Sequence, residues 1–209
     1  MIEWQASLLD GTGETEPRAD LTFTGLVRHQ LDHRCWVDHV TGWLSGSDVV
    51  FETLVAEAKW AQLTRRMYDK QVEQPRLTAP WRNDRQLLVR LPVIDEMRSI
   101  LSARYEVELD SGGVNFYRDG RDSVAWHADR IPKEIVDPVV CIVSVGEPRK
   151  FLLRPRGGGA SLKFMLGRGD LLVTGGATQR AWDHSVPKVA HAGPRISITF
   201  RHGIRPVPE

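Results

Sequence analysis

Two histidines and an aspartate are the first residues whose types and spacing could do chemistry together. His127-Ala128-Asp129 closes a short apolar and aromatic run, and along a strand residues i and i+2 point to one face. His184 follows 55 residues after Asp129, just past Trp182-Asp183. Two histidines and one carboxylate are the ligand set that holds non-haem Fe(II) with coordination positions left open. Zinc with a bound water accepts the same three ligands, and His-x-Asp by itself equally describes a hydrogen-bonded surface pair. Arg195 and Arg201 flank Ile196-Ser197-Ile198-Thr199-Phe200, six positions apart. On one strand that even separation turns both guanidinium groups the same way. Two inward arginines in an apolar strand are costly unless they meet anions. A dicarboxylate such as 2-oxoglutarate would satisfy them through charge-assisted, bidentate contacts. Salt bridges to the protein's own acids would do so too, above all for Arg201 near the chain end.

These residues need a rigid frame, and the second half of the chain reads as one. From residue 105 onward, β-branched and aromatic runs alternate with turn clusters: Gly113–Tyr117, Val139–Val145, Lys150–Leu153, Leu171–Thr174 and Ile196–Phe200. Short strands without helical crossovers predict a sandwich or barrel of the jelly-roll type. The first half is more mixed. Residues 1–30 look like a wrapping arm punctuated by Gly11, Gly13 and Pro17. Val50, Leu54, Val55 and Ala58 recur at helical spacing and predict a helix over 47–61. Residues 62–90, rich in charge and proline, read as loop or irregular strand. Val93, Ile94, Met97, Ile100 and Leu101 predict a second helix ending near Arg104. The expected organisation is a single mainly β (α+β) domain over 1–209, with a helical N-terminal extension (1–104) and a β core (105–204).

Composition bounds the class. The chain has 209 residues, 41% hydrophobic and 26% charged, a globular balance that excludes a disordered tail or a disulfide-stapled mini-protein. A net charge of +1 announces neither a nucleic-acid polyelectrolyte nor a membrane-surface protein. Six of the 28 basic residues are lysine, so arginine dominates; arginine suits bidentate contacts to carboxylate or phosphate, though genomic base composition explains the bias as readily. Most of the seven tryptophans are expected to serve packing. No stretch approaches the roughly 18 apolar residues of a membrane span, and residues 1–20 show no apolar core of a secretory signal. Cys35 and Cys141 lie far apart in unlike contexts, which favours a reduced, cytoplasmic setting over a bridge. A monomer is expected.

The order of the motifs resembles the AlkB family of Fe(II)/2-oxoglutarate dioxygenases. The resemblance is carried by Asn115-x-Tyr117, Asp119-Gly120, Asp122-Ser123-Val124-x-Trp126-His127-x-Asp129, Gly176-Ala177-Thr178-Gln179-x-x-Trp182-x-His184-x-Val186-Pro187-Lys188 and Pro194-Arg195-x-x-x-Thr199-Phe200-Arg201. Gln74-Pro75-Arg76-Leu77-Thr78-Ala79 looks like part of the family's nucleotide-recognition region, notably in members that prefer single strands. The match runs from about 74 to 202 and is specific as a set. It implies a double-stranded β-helix core under a nucleotide-recognition lid. It implies iron on His127, Asp129 and His184, and 2-oxoglutarate held by Asn115, Tyr117, Arg195, Ser197 and Arg201. The activity it implies is oxidative removal of N-methyl groups from bases of the 1-methyladenine and 3-methylcytosine type in DNA, single-stranded or with the base extruded. 2-Oxoglutarate and O2 would become succinate and CO2, and the methyl group would leave as formaldehyde.

For the substrate, Tyr68, Trp81 and Trp60 are the aromatic residues placed to stack on a base, with packing the competing role, especially for Trp60. Arg76 and Arg130 would also touch substrate, and Arg65, Arg66, Arg82 and Arg85 bracket the lid segment where they could meet phosphates. The pattern departs from the family in three places. Arg130-Ile131-Pro132 stands where repair members carry further acidic residues, Ser197 where asparagine is common, and Pro80-Trp81-Arg82 in place of an aromatic pair. An oxygenase of the same fold acting on RNA, protein or a small molecule is one alternative, a non-catalytic nucleic-acid-binding module a second, and a zinc hydrolase a third. His29, His33, His39, His191 and His202 receive no role.

Overall fold

The computed structural model describes residues 16–67, 70–81 and 84–202, with 65–67 and 70 described by backbone alone. In chain order come β1 (Arg18–Ala19), β2 (Val27–Gln30), β3 (Cys35–Val40), β4 (Leu44–Ser45), helix α1 (Ser47–Glu57), β5 (Ala61–Met67), β6 (Lys70–Ala79), α2 (Arg85–Arg90) and α3 (Val93–Tyr105). The second half runs β7 (Leu109–Tyr117), β8 (Val124–His127), β9 (Val140–Gly146), β10 (Arg149–Pro155), β11 (Leu162–Leu166), β12 (Asp170–Gly176), α4 (Thr178–Ala181), β13 (Trp182–Val186) and β14 (Arg195–His202). Two antiparallel sheets face each other in a jelly-roll arrangement. The larger has eight strands in the order β2-β3-β12-β9-β14-β7-β6-β5, the smaller four in the order β11-β10-β13-β8. Four strands of the larger sheet, β2, β3, β5 and β6, come from before residue 105.

Alternation along the central strands divides the core in two. In β14, Ile196, Ile198 and Phe200 turn away from the smaller sheet into a cluster with Val50, Leu54, Ile94, Met97 and Leu101 of the helices. Strand β9 does likewise with Cys141, Val143 and Val145. Their neighbours Val140 and Ile142 turn inward, meeting Phe151, Leu153, Phe164 and Val186 of the smaller sheet. Helices α1 and α3 therefore cover the outer face of the large sheet, which is why β9 reads as a continuous apolar run rather than an alternating one. The inner face of β14 is left to Arg195, Ser197, Thr199 and Arg201, all of which line the cavity between the sheets.

The second predicted helix holds, as Val93–Tyr105. The first stops at Glu57, because Ala58 is already extended (ψ 140°) and leads into β5. The segment read as loop or irregular strand is a long antiparallel pair, β5 and β6, followed by α2, which Asp84 caps by accepting from the Leu87 amide at 3.2 Å. The pair escapes periodicity because its described distal side chains, Gln71, Val72 and Glu73, are exposed, so no buried face imposes alternation. Pro75 sits in β6 where only Leu77 to Ala79 pair with β7, and its carbonyl accepts from the Ser123 amide at 2.7 Å. Cys35 and Cys141 are both buried and unbridged. Among the described residues no helix is long and apolar enough to cross a membrane.

Candidate active site

The two histidines come from different strands of the smaller sheet. His127 ends β8 and pairs directly with His184 of β13, which brings their ring centroids to 4.3 Å. Asp129 follows two residues beyond His127, and one ligand atom from each of the three lies within 4.8 Å of the others. The imidazole of His127 is oriented by the backbone: Nδ1 lies 2.9 Å from the Ala125 carbonyl. A carbonyl has no proton to give, so Nδ1 is the donor and Nε2 presents its lone pair, 3.8 Å from Asp129 Oδ1. His184 is buried and stacks on Phe151 at 5.2 Å. Burial pushes its pKa down to about 4, against the attraction of Asp129, so the ring is neutral at pH 7, the form that binds a metal.

Asp129 is held at both ends. Its backbone amide donates to Gln179 Oε1 at 3.0 Å, and Gln179 Nε2 donates to Thr174 Oγ1 at 2.9 Å. Burial opposes ionisation of its carboxyl, but Arg201 (Nε to Oδ2, 2.9 Å) outweighs that and keeps the pKa below the usual carboxylate value. The set is thus two imidazole nitrogens and one carboxylate, pre-gathered on a rigid frame, and it fits a divalent iron with positions to spare.

Strands β7 and β14 build the anion side. Their register sets Tyr117 opposite Arg195 and Asn115 opposite Ser197. Arg195 is 1% exposed. Its Nη2 donates to Ser144 Oγ at 2.6 Å, its guanidinium carbon lies 5.4 Å from the Tyr117 ring centre, and its Nε has no partner. Burial drops its pKa to about 10, leaving it charged at neutral pH. Among the described residues no carboxylate pairs with it, and a buried, half-satisfied cation of this kind calls for an anion in the cavity. Asn115 reaches Ser197 Oγ at 3.5 Å and accepts from Arg76 Nε at 3.0 Å. Arg195 and Arg201 do share one face, as the even spacing requires, but they differ: Arg201 is already paired with Asp129.

The three residues expected to hold a metal and the five expected to hold 2-oxoglutarate therefore meet in one cavity of about 500 Å³. The substrate residues divide. Arg76 and Arg130 line the same cavity, while Tyr68 and Arg82 fall outside the described residues, as do the side chains of Arg65 and Arg66. Arg85 is exposed at the start of α2. Trp81 is a correction. It is 1% exposed, packs on Phe200 at 5.3 Å, and its indole N–H donates to the Thr199 carbonyl at 3.1 Å, all on the helix side of the large sheet. Gly112 makes the room for it, since a Cβ there would come within 2.6 Å of Trp81 Nε1. Trp60 is also a packing residue, against Phe116 at 5.2 Å.

Arg149 escaped the sequence reading. It is 2% exposed and donates to the carbonyls of Asp119, Asp122 and Pro187 at 2.8 to 3.0 Å, tying down the segment between β7 and β8 beneath Tyr117. A basic residue at a strand start carries no signal of that role. Gln179 lay in plain view within a motif, yet nothing in its type said that it would hold the backbone of Asp129.

Comparison with known proteins bears on the same residues. The chain is 34% identical over 177 residues to the alpha-ketoglutarate-dependent dioxygenase alkB homolog 3 of Mus musculus, covering 76% of this chain and 62% of that one. It is 36% identical over 133 residues to the DNA oxidative demethylase ALKBH2 of Arabidopsis thaliana, covering 50% and 42%. It therefore spans less than two thirds of the length of these relatives. The solved structure of a prolyl hydroxylase, in complex with a hypoxia inducible factor oxygen degradation domain peptide fragment from Trichoplax adhaerens, overlays with a TM-score of 0.60. It covers 80% of this chain and 83% of that one at 14% identity, a likeness of fold alone. A family model, described as 2OG-Fe(II) oxygenase superfamily, matches residues 34–201. That span takes in both histidines, the aspartate and both arginines of the cavity, and the chain belongs to the 2OG-Fe(II) oxygenase superfamily.

Proposed function

We propose that this protein is an Fe(II)- and 2-oxoglutarate-dependent dioxygenase that demethylates N-alkylated nucleobases, of the 1-methyladenine and 3-methylcytosine type, in single-stranded DNA. The observation that carries the reading is the meeting, in one cavity, of the His127–Asp129–His184 cluster with the buried Arg195, which has no anionic partner among the described residues. The names of the relatives, dioxygenase and DNA oxidative demethylase, support the substrate class.

When bound, iron and 2-oxoglutarate supply the activation of O2 that oxidises the methyl carbon, giving succinate, CO2 and formaldehyde. The chain's own groups do the rest. His127 Nε2, the Asp129 carboxylate and His184 would hold the metal; Arg201 keeps that carboxylate ionised, and Ala125 fixes the His127 tautomer. Arg195, with Asn115, Tyr117 and Ser197, would hold 2-oxoglutarate. Ile142, Phe151 and Val186 furnish an apolar wall that limits water at the reacting carbon.

The test is mass spectrometry of a single-stranded oligonucleotide carrying 1-methyladenine or 3-methylcytosine, incubated with protein, Fe(II), 2-oxoglutarate and air. Loss of the methyl mass matched by succinate is the expected result. Succinate without methyl loss would keep the oxygenase and discard the substrate. A folded, iron-loaded protein yielding neither product would overturn both.

A further inference from the structure

The cavity carries more positive charge than the metal and co-substrate roles use. Among the described residues its wall holds four arginines, Arg76, Arg130, Arg195 and Arg201, against one carboxylate, Asp129. That carboxylate is already engaged by Arg201 at 2.9 Å. Arg76 has the neutral Asn115 Oδ1 as its acceptor, and Arg130, exposed at the rim, makes no hydrogen bond or ion pair with a described residue. A dipositive metal and a dianionic co-substrate cancel, so filling the site leaves the excess in place. Within a partly enclosed cavity, water and salt screen that excess less than on an open surface.

Resting on the demethylase reading above and going beyond the two lesions named there, both cationic at neutral pH, we propose that the site accepts charge-neutral N-alkylated bases in preference to cationic ones, and that Arg130 sets the preference. Arg130 is the residue for two reasons. It follows the metal ligand Asp129 directly, so its backbone is fixed beside the reacting centre. It is also the rim arginine with its charge uncommitted. A guanidinium is attracted to the π-face of a neutral ring and repelled by a ring bearing its own positive charge. Methylation of cytosine at N3 produces a cation at neutral pH. Methylation of thymine at N3 only replaces the ring proton and leaves the base neutral. The two lesions are close in size, and the phosphates of the strand are common to both.

The experiment uses the full chain with Fe(II) and 2-oxoglutarate, and two single-stranded oligonucleotides that differ at one base, 3-methylthymine or 3-methylcytosine. Affinity is read by fluorescence anisotropy without oxygen, and methyl loss by mass spectrometry in air. The wild type is expected to favour the neutral base in Kd and in kcat/KM by about three- to tenfold, the scale of one partly screened charge. Arg130→Gln should shrink the ratio, and Arg130→Glu should shrink it further or invert it. Arg130 is exposed, so neither variant removes a packed side chain. Equal or better use of 3-methylcytosine by the wild type would overturn the inference alone, as would a ratio that Arg130→Glu leaves unmoved. Methyl loss from neither base would overturn the demethylase reading and this inference with it.

Discussion

The floor of the cavity and its rim are built on different terms. On the floor, each functional side chain stands on a strand paired on both sides or is pinned by a neighbour: His127 by a carbonyl, Asp129 by Gln179 and Arg201, Arg195 by Ser144. At the rim, Arg130 is exposed and without a described partner, and the described distal part of β6 is exposed as well. Chemistry that needs atoms placed to within a fraction of an ångström sits on the pre-organised part. Recognition of a larger ligand falls to the part that water still reaches. If that division is right, substitutions on the floor should fail in the co-substrate reaction itself, and substitutions at the rim should change which substrate is used and how tightly.

The largest effect should come from the metal cluster. Asp129→Ala removes one ligand and strands Arg201 without its partner, and His127→Ala removes another. Succinate formation and methyl loss should fall together by about a thousandfold or more, the size seen when a group that acts only in the reaction is deleted. Fe(II) binding by equilibrium dialysis should weaken in parallel. Preserved succinate formation in either variant would break the floor assignment. Trp81→Ala comes next and tests whether this indole packs the core or meets substrate. As a packed core side chain its truncation should cost about 3–5 kcal/mol of stability, read as a lower midpoint in urea. Affinity for an oligonucleotide, measured on whatever fraction stays folded, should be unchanged.

Arg195→Met should act one step down the scale. It keeps the bulk of the side chain and removes the buried charge, so the apparent KM for 2-oxoglutarate should rise about 30- to 100-fold, as expected for losing a charged hydrogen-bonding partner. The kcat at saturating co-substrate should change far less. An unchanged KM would mean that the anion this cation awaits is not the co-substrate.

The same division explains what was legible in the sequence. Arg195 and Arg201 could be placed on a common face because both lie on β14, where alternation is geometric; the meeting of His127 with His184 came only with the pairing of β8 and β13, and Asp129 lies just past the end of β8. Tyr117 and Asn115 followed from family order, and register then put them opposite Arg195 and Ser197. Arg149 and Gln179 were not legible as site residues, since they act by holding backbone, and a backbone acceptor leaves no mark on residue type. Trp81 misled for the opposite reason. An aromatic residue beside a recognition segment suits stacking and core packing alike, and only the space left by Gly112 decides between them. Strands β5 and β6 read only as loop or irregular strand because their exposed distal part has no buried face to write a period into the sequence.

Arg76 is where the two regions meet, and it offers the finest test of the boundary. It lies on β6, whose distal part is exposed at the rim, yet its Nε donates to Asn115 of the floor at 3.0 Å. As a rim residue it would meet a phosphate, and Arg76→Ala should then weaken oligonucleotide binding by only a few-fold. The salt dependence is the sharper reading. Losing one phosphate contact to a single strand should lower the slope of log K against log salt by about 0.7. The KM for 2-oxoglutarate should stay within about twofold, because Asn115 retains Ser197 as a neighbour and one exchanged neutral hydrogen bond nets about 1 kcal/mol or less. If the salt slope holds and the co-substrate KM climbs instead, Arg76 belongs to the floor. The edge of the pre-organised region would then run through β6 rather than between β6 and β7.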